Sequence, residues 1–361
     1  IPQSAMPYTV ASGQVYDSGD FAPMIEMAVK ASDWDGIAER KAEAAKRGRK
    51  RGIGMCAYVE VTAPSGKEHG GIRFGEDGRV TLVSGTLDYG QGHRAAFAQI
   101  LSARLGVPFD RIDLLQGDSD ELLVGGGTGG SRSVIAAGGA TYEAAAAVVE
   151  KGRAVAGQVL EAAAEDIEFA AGEFRIAGTD RSIDIMTLAA KARELGDSLD
   201  SELVHDTATS SFPNGVHVAE VEVEPETGVT RVVGYTVVDD FGTVINPLLA
   251  EGQVHGGVAQ GIGQALMEEV VYDEDGQLVT GSYMDYTMPR ADDVPDIAFE
   301  NHPVPATTNV LGAKGAGEAG VSGALPAVMN AVVDALADDG VSHMDMPATP
   351  LKVWRALNGS A

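Results

Sequence analysis

Cysteine is nearly absent, since Cys56 is the only one in 361 residues. An internal disulfide is therefore excluded, as is a Cys-ligated iron–sulfur cluster held by this chain alone. The thiol falls in the strand-like run 54–59 (GMCAYV), where it reads as a small core residue, and no chemistry is assigned to it. Basic residues are also scarce: 26 Lys and Arg stand against 53 Asp and Glu, for a formal net charge of −27. That balance disfavours attraction to nucleic-acid phosphates or anionic lipid, so nucleic-acid binding is not expected. No uninterrupted apolar run reaches the roughly 18 residues of a membrane span. The opening segment IPQSAM lacks the ordered n- and h-regions of a signal peptide. It begins without Met and reads as a linker, so further residues are expected upstream.

What remains is the composition of a folded globular protein, with 44% hydrophobic and 22% charged residues. The length favours two packed lobes over a single core. Residues 1–50 read as a linker and helical lead-in, with helices near 21–32 and 36–47 and a solvated basic face at 41–51. Residues 51–212 are expected to form a first lobe. It opens with a strand at 53–61 and a hairpin of 71–74 with 80–84 around the turn Glu76-Asp77-Gly78-Arg79. A helix at 93–105 ends at Gly106 ahead of Pro108, a strand follows to 116, and an alanine-rich helix covers about 140–164. Residues 165–206 read as a peripheral insertion.

Residues 213–361 are expected to form a second lobe. Period-two alternation at 216–223, the turn 225–228 and a strand at 230–239 make another hairpin. A glycine-interrupted helix at 252–269 follows, and a last helix at 326–337 starts on Pro326. A hairpin followed by a glycine-interrupted helix thus occurs twice, the mark of a weak internal repeat. Hairpins argue against a purely parallel doubly wound sheet, so the fold class is α+β, with mixed α/β sheets and packed helices in two lobes.

Glycine-rich segments at 85–92, 125–139, 252–263 and 312–323 offer backbone N–H groups that can approach an extended anion closely. Any one alone is more often a tight turn or close helix–sheet packing. None matches a Walker loop, and residues 312–317 lack the strand-turn-helix context and distant acid of a dinucleotide fingerprint. Specificity comes from the side chains they carry: TLDYGQGH at 86–93, GTGGSRS at 127–133, Asn246-Pro247 with EGQVHGGVAQG at 251–261, and KGAGE at 314–318. In isolation Glu318 reads as a helix N-terminal charge.

In that order the motifs resemble the molybdopterin-binding subunit of the xanthine oxidase and aerobic carbon monoxide dehydrogenase family of molybdenum hydroxylases. The resemblance runs from Pro7-Tyr8 and YDSGDF at 16–21 to the final helix, and it resembles the C-terminal half of that subunit. It implies a molybdopterin-binding-domain type of fold and molybdenum bound to molybdopterin, in the cytosine dinucleotide form. The metal would be held through the pterin dithiolene, with no side-chain ligands. Gln91 and Gly92 fall where the family presents a Gln-Gly pair to the pterin and its phosphates. Gly130, Ser131 and Ser133 fall on the loop beside the metal, Gln253 lies close to the pterin, Lys314 lies near the cofactor, and Glu318 matches the catalytic base. His93 and His255 stay open between structural and functional roles, and Arg132 reads as a local salt-bridge partner.

A base is required because a water-derived oxygen must lose its proton as it attacks an electron-poor carbon. Burial in a dry, glycine-lined pocket is expected to raise the proton affinity of Glu318. The resemblance further implies an upstream half of the same subunit, an FAD subunit, a 2Fe–2S subunit, a small-molecule substrate, a dimer of heterotrimers and a cytoplasmic location. The variable loop that separates carbon monoxide from aldehyde and N-heterocycle substrates would lie before Ile1. The alternative is a non-catalytic structural homologue within such a complex, marked by loss of the carboxylate that Glu318 here retains.

Overall fold

The computed structural model describes residues 1–62, 66–207 and 209–359. Its longer strands are β1 (Lys50–Val59), β2 (Lys67–Phe74), β3 (Val80–Ser84), β4 (Ile112–Gln116), β5 (Ser201–Asp206), β6 (Asn214–Val223), β7 (Thr230–Asp240) and β8 (Ile297–Asn301). The principal helices are α1 (Phe21–Ala31), α2 (Ile37–Lys46), α3 (His93–Leu105), α4 (Ser133–Leu160), α5 (Ile185–Glu194), α6 (Pro247–Leu266), α7 (Ala319–Leu336) and α8 (Pro350–Leu357).

Two mixed four-stranded sheets result, in the orders β5-β2-β3-β4 and β8-β7-β6-β1. Each is built around an antiparallel hairpin, β2-β3 or β6-β7. A helix then crosses over, α3 or α6, and the next strand returns parallel to the hairpin's second strand. A glycine-rich loop and a second long helix, α4 or α7, complete each unit. The first core gathers Ile72, Leu82, Phe97, Leu101 and Ile112 beneath α3 and α4. The second gathers Val221, Val237, Val258, Ile262, Val328 and Val332 between its sheet and α6 and α7. The second sheet is also covered on its other face, where Met24 and Ala28 of α1 meet Ile53, Val216 and Val238. Burial on both faces explains why β6 reads as an almost continuous buried run.

Several elements depart from the sequence expectation. The strand expected to open the first lobe, β1, pairs antiparallel with β6 along its whole length and closes the second sheet instead. Its apolar pattern fits either sheet, and pairing across more than 150 positions leaves no local signal. Residues 165–206 are not peripheral: Phe174, Ile185 and Leu188 are fully buried in the first core, and β5 completes the first sheet. Helix α4 begins at Ser133, because Gly138 and Gly139 are helical residues packed under Leu311 and His205 rather than turn residues. Helix α6 begins at Pro247, with the Asn246 side chain accepting the Leu249 N–H at 3.0 Å. Pro326 sits inside α7 instead of starting it.

The stretch Ala319–Asp339 is long and apolar enough to cross a membrane by length and composition. In the fold it is a core helix lying on β1 and β6 and against α6. That contact demands glycine in β1. A Cβ on Gly54 would lie 2.2 Å from the Ala331 nitrogen and 2.3 Å from the Ala327 carbonyl oxygen. Gly54→Ala is therefore expected to destabilise the fold by about 1–3 kcal/mol. Gly256→Ala, in α6 with open space around it, is expected to be neutral or to stabilise by up to about 1 kcal/mol. Thermal unfolding of the two variants side by side checks the contrast.

Candidate functional site

The repeated unit has a geometric consequence: the starts of α3, α4, α6 and α7 border one cavity of about 320 Å³. Gln91 and His93 line it from the start of α3, and Thr128, Gly130, Ser131 and Ser133 from the loop entering α4. Asn246, Leu249 and Gln253 line it from α6, and Lys314, Gly317 and Glu318 from the loop entering α7. Each helix N-terminus carries roughly half a positive charge from its unpaired N–H groups. Four of them border one cavity in a chain whose net charge is −27, and the start of α3 is already occupied by the Asp88 carboxylate.

The turns are held by their own side chains. Asp88 accepts hydrogen bonds from the N–H groups of Gly90 and Gln91 at 2.8 and 2.7 Å and of His93 at 2.9 Å, fixing the first turn. Gly92 is the one expected site residue that does not itself line the cavity. It caps α3 with a left-handed backbone, φ +77°, and a Cβ there would strike the Leu249 side chain at 2.7 Å. Thr128 and Ser133 hydroxyls pair at 2.9 Å across the α4 loop. Ser131, between them, is also left-handed at φ +57°, which costs a non-glycine residue about 1 kcal/mol or more. The α7 loop presses against it, since a Cβ on Gly315 would lie 2.4 Å from the Ser131 carbonyl oxygen.

Lys314 borders the cavity, but its charge is committed elsewhere. Its ammonium lies 2.5 Å from Asp240 Oδ2, with both side chains fully buried. Asp240 in turn accepts from the Asn214 amide at 3.2 Å and, through Oδ1, from the N–H groups of Gly242 and Val304. The pair ties the α7 loop to the end of β7. His93 is buried against Phe97 with Nδ1 3.3 Å from the Gln116 amide, and burial pushes its pKa down. His255 does not line the cavity and lies 3.8 Å from Glu251 on its own helix. Arg132 forms no ion pair within 4.0 Å among the described residues, and packs over Gly126 and Gly66 instead. Burial raises the Cys56 thiol pKa, so it is not an activated nucleophile.

Glu318 stands at the N-cap of α7 and is exposed at the cavity rim, not buried in a dry pocket as the sequence suggested. Its Oε2 lies 2.9 Å from Ser131 Oγ, and its own N–H donates to that oxygen at 3.0 Å. On the other side of Ser131, 2.7 Å away, is Glu60. The sequence reading missed this second carboxyl group. Burial pushes its pKa up to about 7; the Ser131 hydrogen bond opposes the shift, and the charges of Glu318 and Asp239 reinforce it. The signal was a carboxylate continuing the Cys56, Tyr58 register of β1, where the chain faces inward.

Fold and cavity together define a class: an α+β protein in which paired hairpin–helix units bring four helix starts and their glycine turns to one cavity. The chain belongs to the molybdopterin cofactor-binding domain family, whose model matches residues 27–295. It is 36% identical to the 6-hydroxypseudooxynicotine dehydrogenase complex subunit gamma of Paenarthrobacter nicotinovorans, over 95% of this chain and 44% of that protein. It is 33% identical to the carbon monoxide dehydrogenase large chain of Hydrogenophaga pseudoflava, over 99% of this chain and 47% of that one. Among solved structures, quinoline 2-oxidoreductase from Pseudomonas putida 86 matches with a TM-score of 0.90 at 33% identity, over 98% of this chain and 48% of its own. Reconstituted CO dehydrogenase from Oligotropha carboxidovorans matches with a TM-score of 0.91 at 30% identity, over 100% and 48% respectively. The chain thus spans about half the length of the curated relatives it matches.

Proposed function

We propose that this chain forms one wall of the molybdopterin site in a molybdenum hydroxylase, and that Glu318 is the base of the reaction. The observation that carries the reading is the convergence of four helix N-termini, with Gln91, Ser131, Gln253 and Glu318, on one cavity. The donor set suits the group. Backbone N–H groups and the amides of Gln91 and Gln253 match a pterin and its phosphates, Gly130, Ser131 and Ser133 flank it, and Gly92 turns the chain toward it. Lys314 supports the site through Asp240 rather than by contact with the cofactor. When bound, the molybdenum cofactor supplies the two-electron redox chemistry. Glu318 supplies proton transfer: Oε2 is oriented by Ser131, leaving Oε1 to accept the proton of a water-derived oxygen as it attacks the substrate carbon.

The rest of the assembly follows from the relatives and from the family resemblance. The other wall would come from an upstream half of the same subunit, since matched relatives are about twice as long. Names such as "complex subunit gamma" and "large chain" favour a heteromultimer. Within it, FAD and 2Fe–2S subunits would carry electrons away, in a cytoplasmic dimer of heterotrimers with the cytosine dinucleotide cofactor. The purified assembly is expected to hold close to one molybdenum per copy of this chain and to release CMP on acid treatment. Absence of both molybdenum and pterin, in an intact assembly made with ample molybdate, would replace this reading with that of a structural homologue. With molybdenum present, turnover of carbon monoxide, aldehydes or N-heterocycles identifies the substrate class.

A further inference from the structure

Among the described residues Ser131 Oγ has three polar neighbours, and their requirements conflict unless a proton is shared. It accepts from the Glu318 N–H at 3.0 Å, and lies 2.7 Å from Glu60 Oε1 and 2.9 Å from Glu318 Oε2. A hydroxyl has one hydrogen and two lone pairs. With one lone pair taken by the N–H, it donates to one carboxyl group and accepts from the other, so one of the two must itself be protonated. Glu60 is the better holder. It is more enclosed than Glu318, and its Oε2 is buried with no hydrogen-bond partner among the described residues, a position that penalises charge.

We propose that Glu60 is a positioning residue for Glu318: the two carboxyl groups share one proton through Ser131 Oγ, and its residence on Glu60 keeps Glu318 ionised and aimed into the cavity. This rests on the reading of Glu318 as the base. The exchange is balanced: as the Glu60 proton passes to Ser131 Oγ, the Ser131 proton passes to Glu318 Oε2, leaving Glu60 anionic and Glu318 neutral with no proton gained or lost. Among the described residues, the other groups facing Glu60 do not supply a cation. Asp239 of β7 is an acid and lies between Tyr58, whose hydroxyl donates to it at 2.8 Å, and the His217 ring at 3.4 Å. The Lys314 charge is consumed by Asp240, and the Arg132 guanidinium lies over Gly126. Burial together with the charges of Glu318 and Asp239 outweighs the Ser131 hydrogen bond and holds the Glu60 proton to about pH 7.

The test is infrared difference spectroscopy of carboxyl C=O stretching across a pH titration of the complete multisubunit enzyme, alongside the pH profile of kcat/KM. The wild type is expected to lose a protonated-carboxyl band near pH 7. Glu60→Gln is expected to remove that band together with the matching ionisation in the profile. Because the amide still donates to Ser131, its kcat/KM at neutral pH is expected to fall less than about tenfold, and Glu60→Asp is expected to restore the ionisation. Ser131→Ala, which serves also if the Gln variant does not assemble, is expected to shift the pH at which the band is lost, since it removes the hydroxyl that links the two carboxyl groups. A band that persists in Glu60→Gln, or that does not move in Ser131→Ala, overturns the shared proton. A profile unchanged by Glu60→Gln overturns the positioning role. The carboxyl titration requires no cofactor, so an enzyme without molybdopterin would defeat the proposed function and still decide the shared proton.

Discussion

Glu318→Gln is expected to lower turnover by at least about 10²–10⁴-fold, the usual contribution of a positioned general base, while molybdenum and pterin content stay near wild type. The structure separates the two effects. Glu318 is exposed at the N-cap of α7 and reaches the protein through Ser131. A glutamine amide fits the same space, and its oxygen can still accept from Ser131. The Glu318 N–H to Ser131 bond belongs to the backbone and survives the substitution. The fold around the cavity is therefore retained, and only the group able to take a proton is lost. Metal analysis and single-turnover reduction on the same preparation make the comparison. Loss of molybdenum in parallel with activity would assign Glu318 a structural role and remove it as the base.

Lys314→Met is expected to cost about 3–5 kcal/mol of stability, because it leaves the fully buried Asp240 carboxylate without its cation. Asp240 keeps the Gly242 and Val304 N–H bonds at 2.8 and 2.9 Å, which soften the loss without neutralising the charge. The double variant Lys314→Met with Asp240→Asn is expected to recover much of it, since replacing both charges removes the desolvation penalty along with the attraction. Chemical denaturation of the single and double variants measures the coupling. If Lys314→Met unfolds like wild type and instead loses cofactor, the lysine contacts the cofactor and the anchoring role is wrong. The pair also explains why a lysine beside the cavity offers it no free charge.

Legibility in the sequence followed the range of each interaction. Glycine-rich turns with glutamines and hydroxyls at fixed offsets are local patterns; their order carried the family resemblance, which implied Gln91, Gly130, Ser131, Ser133, Gln253, Lys314 and Glu318, and all of these border one cavity. The hairpins were equally readable, because alternation and turn residues lie within about ten positions of each other. Helix starts were less so. Gly138 and Gly139 look like turn residues, yet in α4 they admit neighbouring side chains. The membership of β1 was invisible, since its period-two pattern records which face is buried and not which sheet receives it.

Glu60 shows the limit most directly. An acid in a strand is usually a solvated residue, and only the packing of the α4 and α7 loops over the end of β1 encloses this one and sets it 2.7 Å from Ser131. The exposure of Glu318 and the neutralisation of Lys314 by Asp240, 74 positions away, were decided in the same way. By itself, the sequence determined the mixed α+β class and its hairpins, because these depend on residue type and short spacing, while Glu318 was singled out only through the family resemblance of the ordered motifs. Only the tertiary structure decided which strand closes which sheet, which charges cancel and which carboxyl groups meet, because those outcomes depend on contacts between segments that no local periodicity connects.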